Sequence, residues 1–332
     1  MTHRYVACLG FFCGLTLFAA GCAEPVVYED RNDLDGEVRK VLKNFKGLVG
    51  IYAKHLSSGW TYRHNADELF CTASVFKVPV MVDLFRRAEE GNLDLRAKRK
   101  VSAAVSRHGT GVLKYLEDDP ELSLLDYCRL MIIYSDNIAT DTLMEIADPP
   151  AVTRTMERLG LTKTRVSGNV TMMHYGLVGV DSSIGSANLD EVLIERARAG
   201  ELVQGGFADR SLDGNVTTPE AMGALFSLIY RGETVSPEAS AEMLEIMKET
   251  RGREMIPRYL PPETEVAHKT GGTWRVKADV GIVFLNYGPV VMSLFVYCDP
   301  GETRKGRVLA EIAGLIARWG EPRRRKMRAK AD

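Results

Sequence analysis

The sequence predicts an α+β fold. The N- and C-terminal segments build one antiparallel sheet flanked by helices, and an all-helical lobe is inserted between them. Two strand patterns, residues 47–56 and 60–62, stand near the start of the chain. Helical patterns fill the middle, and three β-branched runs followed by an amphipathic helix come last. Strands on both sides of a helical middle, with no internal repeat, indicate one continuous unit.

The helices are predicted from apolar residues that recur at three- and four-residue steps. A first helix covers residues 34–45. Pro149 and Pro150 separate the last two of four middle helices, which are predicted at 74–90, 122–134, 138–146 and 151–159. Two later helices, 219–230 and 237–249, have proline in the first turn, where its missing N–H is tolerated.

The C-terminal part has strand patterns in place of helical ones. Three β-branched runs separated by Gly and Pro favour an antiparallel meander, namely VAHKTG (266–271), ADVGIVFL (278–285) and VVMSLFVYC (290–298). The final helix, 307–318, carries an apolar stripe suited to packing on a sheet.

The composition is that of an ordinary globular protein. The chain has 332 residues, of which 45% are hydrophobic and 26% charged. Its 43 basic and 44 acidic residues give a net charge of −1, so the strong basic excess of a nucleic-acid-binding protein is missing. One basic run lies in the last residues, and we expect 321–332 to be a solvated tail.

The N-terminus has the features of an export signal. A short basic start precedes the apolar stretch 5–20, which is too short for a comfortable membrane span. The small residues 19–21 precede Cys22, and this ending resembles a bacterial lipoprotein processing box. We therefore expect a signal peptide at 1–22, a lipid on Cys22, a tether at 23–33 and a folded domain at 34–320. The expected location is the cell envelope, on the periplasmic side.

Two alternatives for the N-terminus stay open. Ala19 stands where leucine is more usual in a lipoprotein box, so plain cleavage by the general signal peptidase is one of them. The other is a true transmembrane anchor, which the short apolar stretch disfavours.

Three cysteines, Cys71, Cys128 and Cys298, remain in the folded part, and an odd number leaves at least one thiol unpaired. Cys128 is expected to be a buried thiol, with pairing to Cys71 as the alternative. The sequence has no CxxC pair and no Cys/His cluster, so we expect neither a zinc site nor a cofactor.

The stretch CTASVFKVPVMVDLF places a serine three residues before a lysine at a predicted helix start. Ser74 and Lys77 are one turn apart, so both side chains can reach the same small volume. A serine hydroxyl is a poor nucleophile until a base takes its proton. Lys77 can act as that base only when neutral, which burial and a second cation would favour.

Two further short motifs follow in the chain. Ser135-Asp136-Asn137 lies between two predicted helices, and Lys269-Thr270-Gly271 lies on the first strand of the meander. Ser-x-x-Lys, Ser-Asp-Asn and Lys-Thr-Gly, in this order, resemble the class A β-lactamase and penicillin-binding serine hydrolase family. The resemblance covers roughly residues 34–319 and includes NVTTPEAMGALF at 215–226.

The resemblance implies a role for each motif residue. Ser74 would be the nucleophile, Lys77 its base, and Ser135 the group that relays a proton to the leaving nitrogen. Lys269 would supply the second cation and attract a substrate carboxylate.

The resemblance also implies a substrate-binding set. Asn137 would bind the substrate's side-chain amide. Thr270 either contacts a carboxylate or only fills the strand. The backbone N–H groups of Ser74 and Gly272 would form the oxyanion hole.

The sequence departs from the family pattern where class A enzymes carry a Glu-x-x-x-Asn loop that activates the deacylating water. The expected position falls at 170–172, which holds no carboxylate. Glu201, counted back from Pro219, is the alternative base. The region 167–215 is longer than usual and contains a helix predicted at 188–200, whose Glu191 and Glu195 are expected to face solvent.

Three functions stay open from the sequence. The first is a monomeric, envelope-anchored β-lactamase that forms an acyl-enzyme at Ser74. The second is a penicillin-binding D-alanyl peptidase or esterase, which needs no efficient β-lactam deacylation. The third is a non-catalytic binding lipoprotein, which is disfavoured because every motif residue is present. In each case the expected partner is a small molecule and not a nucleic acid.

Overall fold

The computed structural model describes residues 31–180, 189–203 and 210–319. The signal peptide, Cys22 and the basic tail lie outside these residues. The helices, in chain order, are α1 (Arg31–Leu42), α2 (Lys77–Glu89), α3 (Leu124–Ile133), α4 (Asn137–Met144), α5 (Pro149–Arg158), α6 (Val170–Leu177), α7 (Leu189–Ala199), α8 (Pro219–Tyr230), α9 (Pro237–Lys248) and α10 (Lys305–Trp319).

The strands are β1 (Gly47–His55), β2 (Thr61–His64), β3 (Phe70–Cys71), β4 (Lys98–Lys100), β5 (Glu121–Ser123), β6 (Val216–Thr217), β7 (Val266–Gly272), β8 (Val276–Leu285) and β9 (Gly288–Cys298). Five of them form an antiparallel sheet in the order β2-β1-β9-β8-β7. N-terminal β1 pairs directly with C-terminal β9, with Ile51 opposite Leu294. This pairing confirms the predicted α+β fold, in which one sheet joins the two ends of the chain.

The sheet is covered on both faces. Along β9, Leu294 and Val296 pack into one apolar cluster, which also contains residues of α1 and α10. Phe295 points the other way, into a larger cluster that includes α2, α3 and α8. Because side chains alternate along a strand, a strand buried on both faces supplies both clusters. β7 lies at the sheet edge, next to the helical lobe.

Several boundaries differ from the sequence predictions. α1 begins at Arg31, inside the predicted tether. α3 begins at Leu124 because residues 121–123 pair as a strand with 98–100. Pro149 and Pro150 separate α4 from α5 as predicted, but they lie in the first turn of α5. The predicted helix 188–200 is present as α7.

Cys128 is a buried free thiol, as predicted. Cys71, Cys128 and Cys298 are all buried, and none of these three is joined to another by a disulfide. The alternative Cys71–Cys128 pairing is therefore wrong. Burial raises the pKa of the Cys128 thiol to about 12, so this group is an inert core residue.

The described residues contain neither a helix suited to span a membrane nor a cluster suited to hold a metal ion. Within residues 31–180, 189–203 and 210–319, no helix has the length and apolar character needed to cross a membrane. The same residues contain no cluster of three or more His, Cys, Asp or Glu side chains suited to hold a metal ion.

Candidate active site

Ser74 lies in a 3₁₀ turn, Ala73–Phe76, that leads from β3 into α2. The prediction that an α-helix begins at Ser74 is wrong by about one turn, because the α-helix begins at Lys77. Ala73 has a φ of 44°, in the left-handed region. Just before it, Thr72 is buried and donates its backbone N–H to Asn215 O at 2.9 Å. The turn that carries Ser74 is thus strained at Ala73, and the hydrogen bond from Thr72 to Asn215 restrains it.

Lys77 is fully buried beside Ser135. Its Nζ donates to Ser135 O at 2.8 Å and Asn137 Oδ1 at 3.0 Å, and it lies 3.2 Å from Ser135 Oγ. Burial lowers the pKa of Lys77 well below that of an ordinary lysine, and the nearby Lys269 ammonium lowers it further. A neutral amine at this position can accept a proton from a neighbouring hydroxyl.

Ser135 lies between the two motif lysines. Lys269 Nζ donates to Ser135 Oγ at 3.0 Å, so the same hydroxyl contacts both lysines. Ser135 has a φ of 52°, and its carbonyl also accepts from Thr110 Oγ1 at 2.7 Å. In this left-handed conformation, the carbonyl oxygen of Ser135 contacts Lys77, and its hydroxyl oxygen contacts both lysines.

Lys269 is also fully buried, and its Nζ donates to Thr270 O at 2.8 Å. Burial lowers the pKa of Lys269 to about 7, and the Asp279 carboxylate opposes part of that shift. Asp279 binds the neighbouring side chain, with His268 Nδ1 2.8 Å from Asp279 Oδ1. His268 is itself buried.

The edge strand β7 passes close to the nucleophile. A Cβ placed on Gly271 would lie 2.8 Å from Thr72 O and 3.1 Å from Ser74 N, so this approach needs glycine. Gly272, one residue further, is exposed on the cleft. The predicted oxyanion-hole residues, Ser74 and Gly272, therefore lie on adjacent segments. Thr270, which follows Lys269 on the same strand, is half-buried.

Asn137 is the first residue of α4 and is almost fully buried. Its backbone N–H donates to Thr110 O at 3.0 Å, and its Oδ1 accepts from Lys77 Nζ. The side-chain oxygen thus holds the buried lysine. Binding of a substrate amide by Asn137 stays a prediction.

A model of the beta-lactamase enzyme family matches residues 33–319. This chain belongs to the beta-lactamase enzyme family. It is a hydrolase of the serine β-lactamase type. A curated beta-lactamase from Streptomyces lavendulae is 23% identical over 312 residues, which are 92% of this chain and 90% of that relative.

Solved structures share the fold. A beta-lactamase from Sphaerobacter thermophilus has a TM-score of 0.71 at 24% identity, covering 88% of this chain and 98% of that chain. A mutant of PBP-A, solved as an acyl-enzyme complex with penicillin G, has a TM-score of 0.68 at 22% identity. That match covers 86% of this chain and 95% of the PBP-A chain.

Residues 170–172, where the resemblance placed the glutamate loop, lie at the start of a helix. Residues 170–172 open α6, a helix that the sequence analysis did not predict. Buried Asp141 accepts from Val170 N at 2.8 Å, and from Thr171 N at 3.0 Å and Thr171 Oγ1 at 2.6 Å. Both carboxylate oxygens of Asp141 therefore accept hydrogen bonds from the first turn of α6.

Glu201, the alternative base, is exposed just after α7. Its backbone N–H bonds to Arg196 O, and nearby Val203 N donates to Leu177 O at 2.9 Å. Among the described residues, the segment around Glu201 is therefore hydrogen-bonded to the C-terminal end of α6, and no described hydrogen bond joins it to Lys77 or Ser135. Glu191 and Glu195 are exposed, as predicted.

A cleft of about 380 Å³ lies between α6 and the β7–β8 turn. Its lining includes His174, Gly272, Thr273, Trp274, Lys277 and Lys305. Arg275, close to this cleft in the chain, is buried, and its Nη1 lies 3.5 Å from Asp299 Oδ1. Lys277 and His174 were not singled out from sequence, because no local pattern marks either residue.

Gly271→Ala is expected to slow acylation of Ser74. The added Cβ would meet backbone atoms of Thr72 and Ser74, so either β7 or the nucleophile's turn must shift. A misplacement of this kind can reduce the rate about 10²-fold. Stopped-flow acylation measures the effect. Gly301→Ala is the matched control, since a Cβ there meets nothing within 4 Å. Equal acylation rates in both variants would contradict this packing argument.

The pH dependence of acylation should report Lys269. As pH rises through about 7, Lys269 loses its proton and with it the charge that attracts a carboxylate. The second-order acylation rate with a carboxylate-bearing substrate should therefore fall above that pH. Lys269→Arg remains charged at all accessible pH, so its slower reaction should lack this alkaline decrease. Superimposable pH profiles for the two proteins would rule out Lys269 as the titrating group.

Proposed function

We propose that the protein hydrolyses the β-lactam amide by a class A-type route, through an acyl-enzyme at Ser74. The observation that carries this proposal is the hydrogen-bonded series Lys77–Ser135–Lys269 beside the turn of Ser74. Each group in it is oriented by a second contact, as nucleophilic catalysis requires. Family membership supports the same reaction class.

The chemistry follows from the protonation states. Neutral Lys77 takes the proton of Ser74 Oγ as this oxygen attacks the carbonyl carbon. The backbone N–H groups of Ser74 and Gly272 would donate to the developing oxyanion. Ser135 donates its proton to the leaving nitrogen and recovers one from the adjacent lysines. The Lys269 ammonium attracts the carboxylate of the substrate.

A penicillin-binding D-alanyl peptidase or esterase is the second candidate. It is favoured by one observation: residues 170–172 hold no carboxylate, and Asp141 is engaged by the start of α6. Such an enzyme would acylate normally and release penicillin slowly. A non-catalytic binding lipoprotein is disfavoured because all four residues of the Ser-Lys-Ser-Lys set are present in the sequence.

Ser74→Ala should abolish covalent labelling by a penicillin, and Lys77→Ala should slow it by about 10²–10⁴-fold. The first removes the nucleophilic oxygen, and the second removes its base. The measurement is an intact-mass time course of the purified full chain, with Ser57→Ala as an exposed-serine control. Labelling of Ser74→Ala at the normal rate would overturn the proposal. A wild-type adduct that persists without antibiotic turnover would favour the second candidate.

We also propose that the protein is exported and held at the cell envelope by a lipid on Cys22. The small residues 19–21 before this cysteine support it. Cys22→Ser should then abolish incorporation of radiolabelled palmitate in cells and move the protein to the soluble fraction. Unchanged labelling or unchanged membrane association of this variant would exclude lipid attachment at Cys22.

A further inference from the structure

Residues 109–113, with the sequence GTGVL, pack against the Ser-Asp-Asn motif. The buried carboxylate of Asp136, the middle residue of that motif, accepts from Val112 N at 2.6 Å and from Leu113 N at 2.9 Å. Two backbone N–H groups on one carboxylate oxygen fix the end of the segment. The segment is therefore attached to the loop that carries the second catalytic serine.

Glycine on both sides of Thr110 allows a close approach. Gly109 has a φ of 89° and Gly111 a φ of 121°, which are values that favour glycine. A Cβ placed on Gly109 would lie 2.1 Å from Asn137 Nδ2, and one placed on Gly111 would lie 2.3 Å from Asp136 Cγ. Any other residue at these two positions would push the segment away from the motif.

The hydroxyl of Thr110 shares two acceptor oxygens with the buried lysine. Thr110 Oγ1 donates to Ser135 O at 2.7 Å and lies 3.2 Å from Asn137 Oδ1. Lys77 Nζ donates to the same two oxygens, at 2.8 and 3.0 Å. A carbonyl oxygen has two lone pairs, so each of these oxygens can accept from both donors at once.

This sharing restrains the residue between the two lysines. Ser135 has a φ of 52°, and a left-handed backbone persists only where its surroundings determine it. The backbone of Thr110 adds a further contact, because its carbonyl oxygen accepts from Asn137 N at 3.0 Å. Thr110 itself is exposed, so loss of its hydroxyl would leave no buried group without a partner.

The hydroxyl also acts on the charge state of the lysine. Burial lowers the pKa of Lys77, and the Lys269 ammonium lowers it further. The carboxylates of Asp141 and Asp136 oppose this shift. Oxygen acceptors also favour an ammonium group. The hydroxyl hydrogen of Thr110 is directed at the same acceptors, so it offsets part of their attraction for a positive charge.

We propose that Thr110 is a positioning residue for the acylation of Ser74. Its hydroxyl holds the two oxygens that Lys77 contacts, and it favours the neutral amine that accepts the serine proton. Thr110 touches neither the substrate nor the reacting atoms in this role. The inference rests on the proposed function, because it assigns a role in the same proton transfer.

Thr110→Val removes the hydroxyl and keeps the size of the side chain. The measurement is the second-order acylation rate of the purified full chain with benzylpenicillin, obtained by rapid mixing and intact mass across pH. Acylation requires neutral Lys77, so the rate falls as pH drops through the pKa of this lysine. In the variant, the acidic limb should move to higher pH by about half a unit or more, as expected for one lost hydrogen bond.

Two matched variants control for packing. Thr110→Ser retains a hydroxyl and should restore the wild-type pH profile. Thr162→Val makes the same chemical change at an exposed threonine after α5 and should behave as wild type. Thr110→Val should melt close to the wild-type temperature, because surface substitutions seldom change stability much.

A second readout needs no substrate. The NMR chemical shift of Lys77 Cε, assigned with Lys77→Arg, follows the titration of this amine in the free protein. Its midpoint should move upwards in Thr110→Val by the same amount as the acidic limb. A midpoint and an acidic limb that both stay at their wild-type positions would overturn the inference and leave the acyl-enzyme proposal intact.

The other outcomes also decide. Slower acylation of Thr110→Val with an unmoved acidic limb would mean that Thr110 acts on the substrate alone, which overturns the positioning role. Failure of the wild type to form any adduct would remove the proposed function, and the inference with it. An acidic limb displaced in Thr110→Val and restored in Thr110→Ser would support the inference.

Discussion

Burial of two lysines on either side of one serine hydroxyl is the constraint on which the site depends. Removing an ammonium group from water costs several kcal/mol by order of magnitude, and two adjacent ones repel each other as well. The protein offsets this cost by depressing both lysine pKa values and by aiming oxygen acceptors at both Nζ atoms. The same burial that is unfavourable for folding favours the neutral amine of Lys77, which is the form that can accept a proton.

The oxygen atoms that accept hydrogen bonds from the two lysines must themselves be held in position. Residues elsewhere in the helical lobe provide this restraint. Ser135 adopts a left-handed backbone, and Ala73 before the nucleophile does so too. Such residues cost about 1–3 kcal/mol each and persist only where their surroundings determine them. The buried carboxylate of Asp136 provides part of that restraint. It accepts from Ala139 N at 3.0 Å and from Val112 N and Leu113 N at 2.6 and 2.9 Å.

Much of this arrangement could be predicted from the sequence, for two reasons. Ser74 and Lys77 are one turn apart in any helical geometry, and the β-branched runs at the C-terminus specify the sheet. Ser135 and Lys269 lie 134 residues apart, so only the family resemblance placed them together. The start of the nucleophile's turn was predicted as α-helix because a 3₁₀ turn has nearly the same apolar spacing.

The helix α6 was beyond prediction from the sequence. Its residues VTMMHYGL show no clear helical period, and the helix is fixed by Asp141 from about thirty residues earlier. His108 and His174 likewise meet across 66 residues, through loop geometry that local propensity does not encode.

The pairing of β1 with β9 has a consequence for how the protein folds. Ile51 reaches its partner only when Leu294 is available, so the central strand pair closes a loop that contains almost the whole helical lobe. Such non-local pairing raises the contact order and slows folding. During synthesis, β1 can pair with β9 only after nearly the whole chain has been made. A chain that ended before residue 288 would lack β9, and both faces of the sheet would remain without their shared central strand.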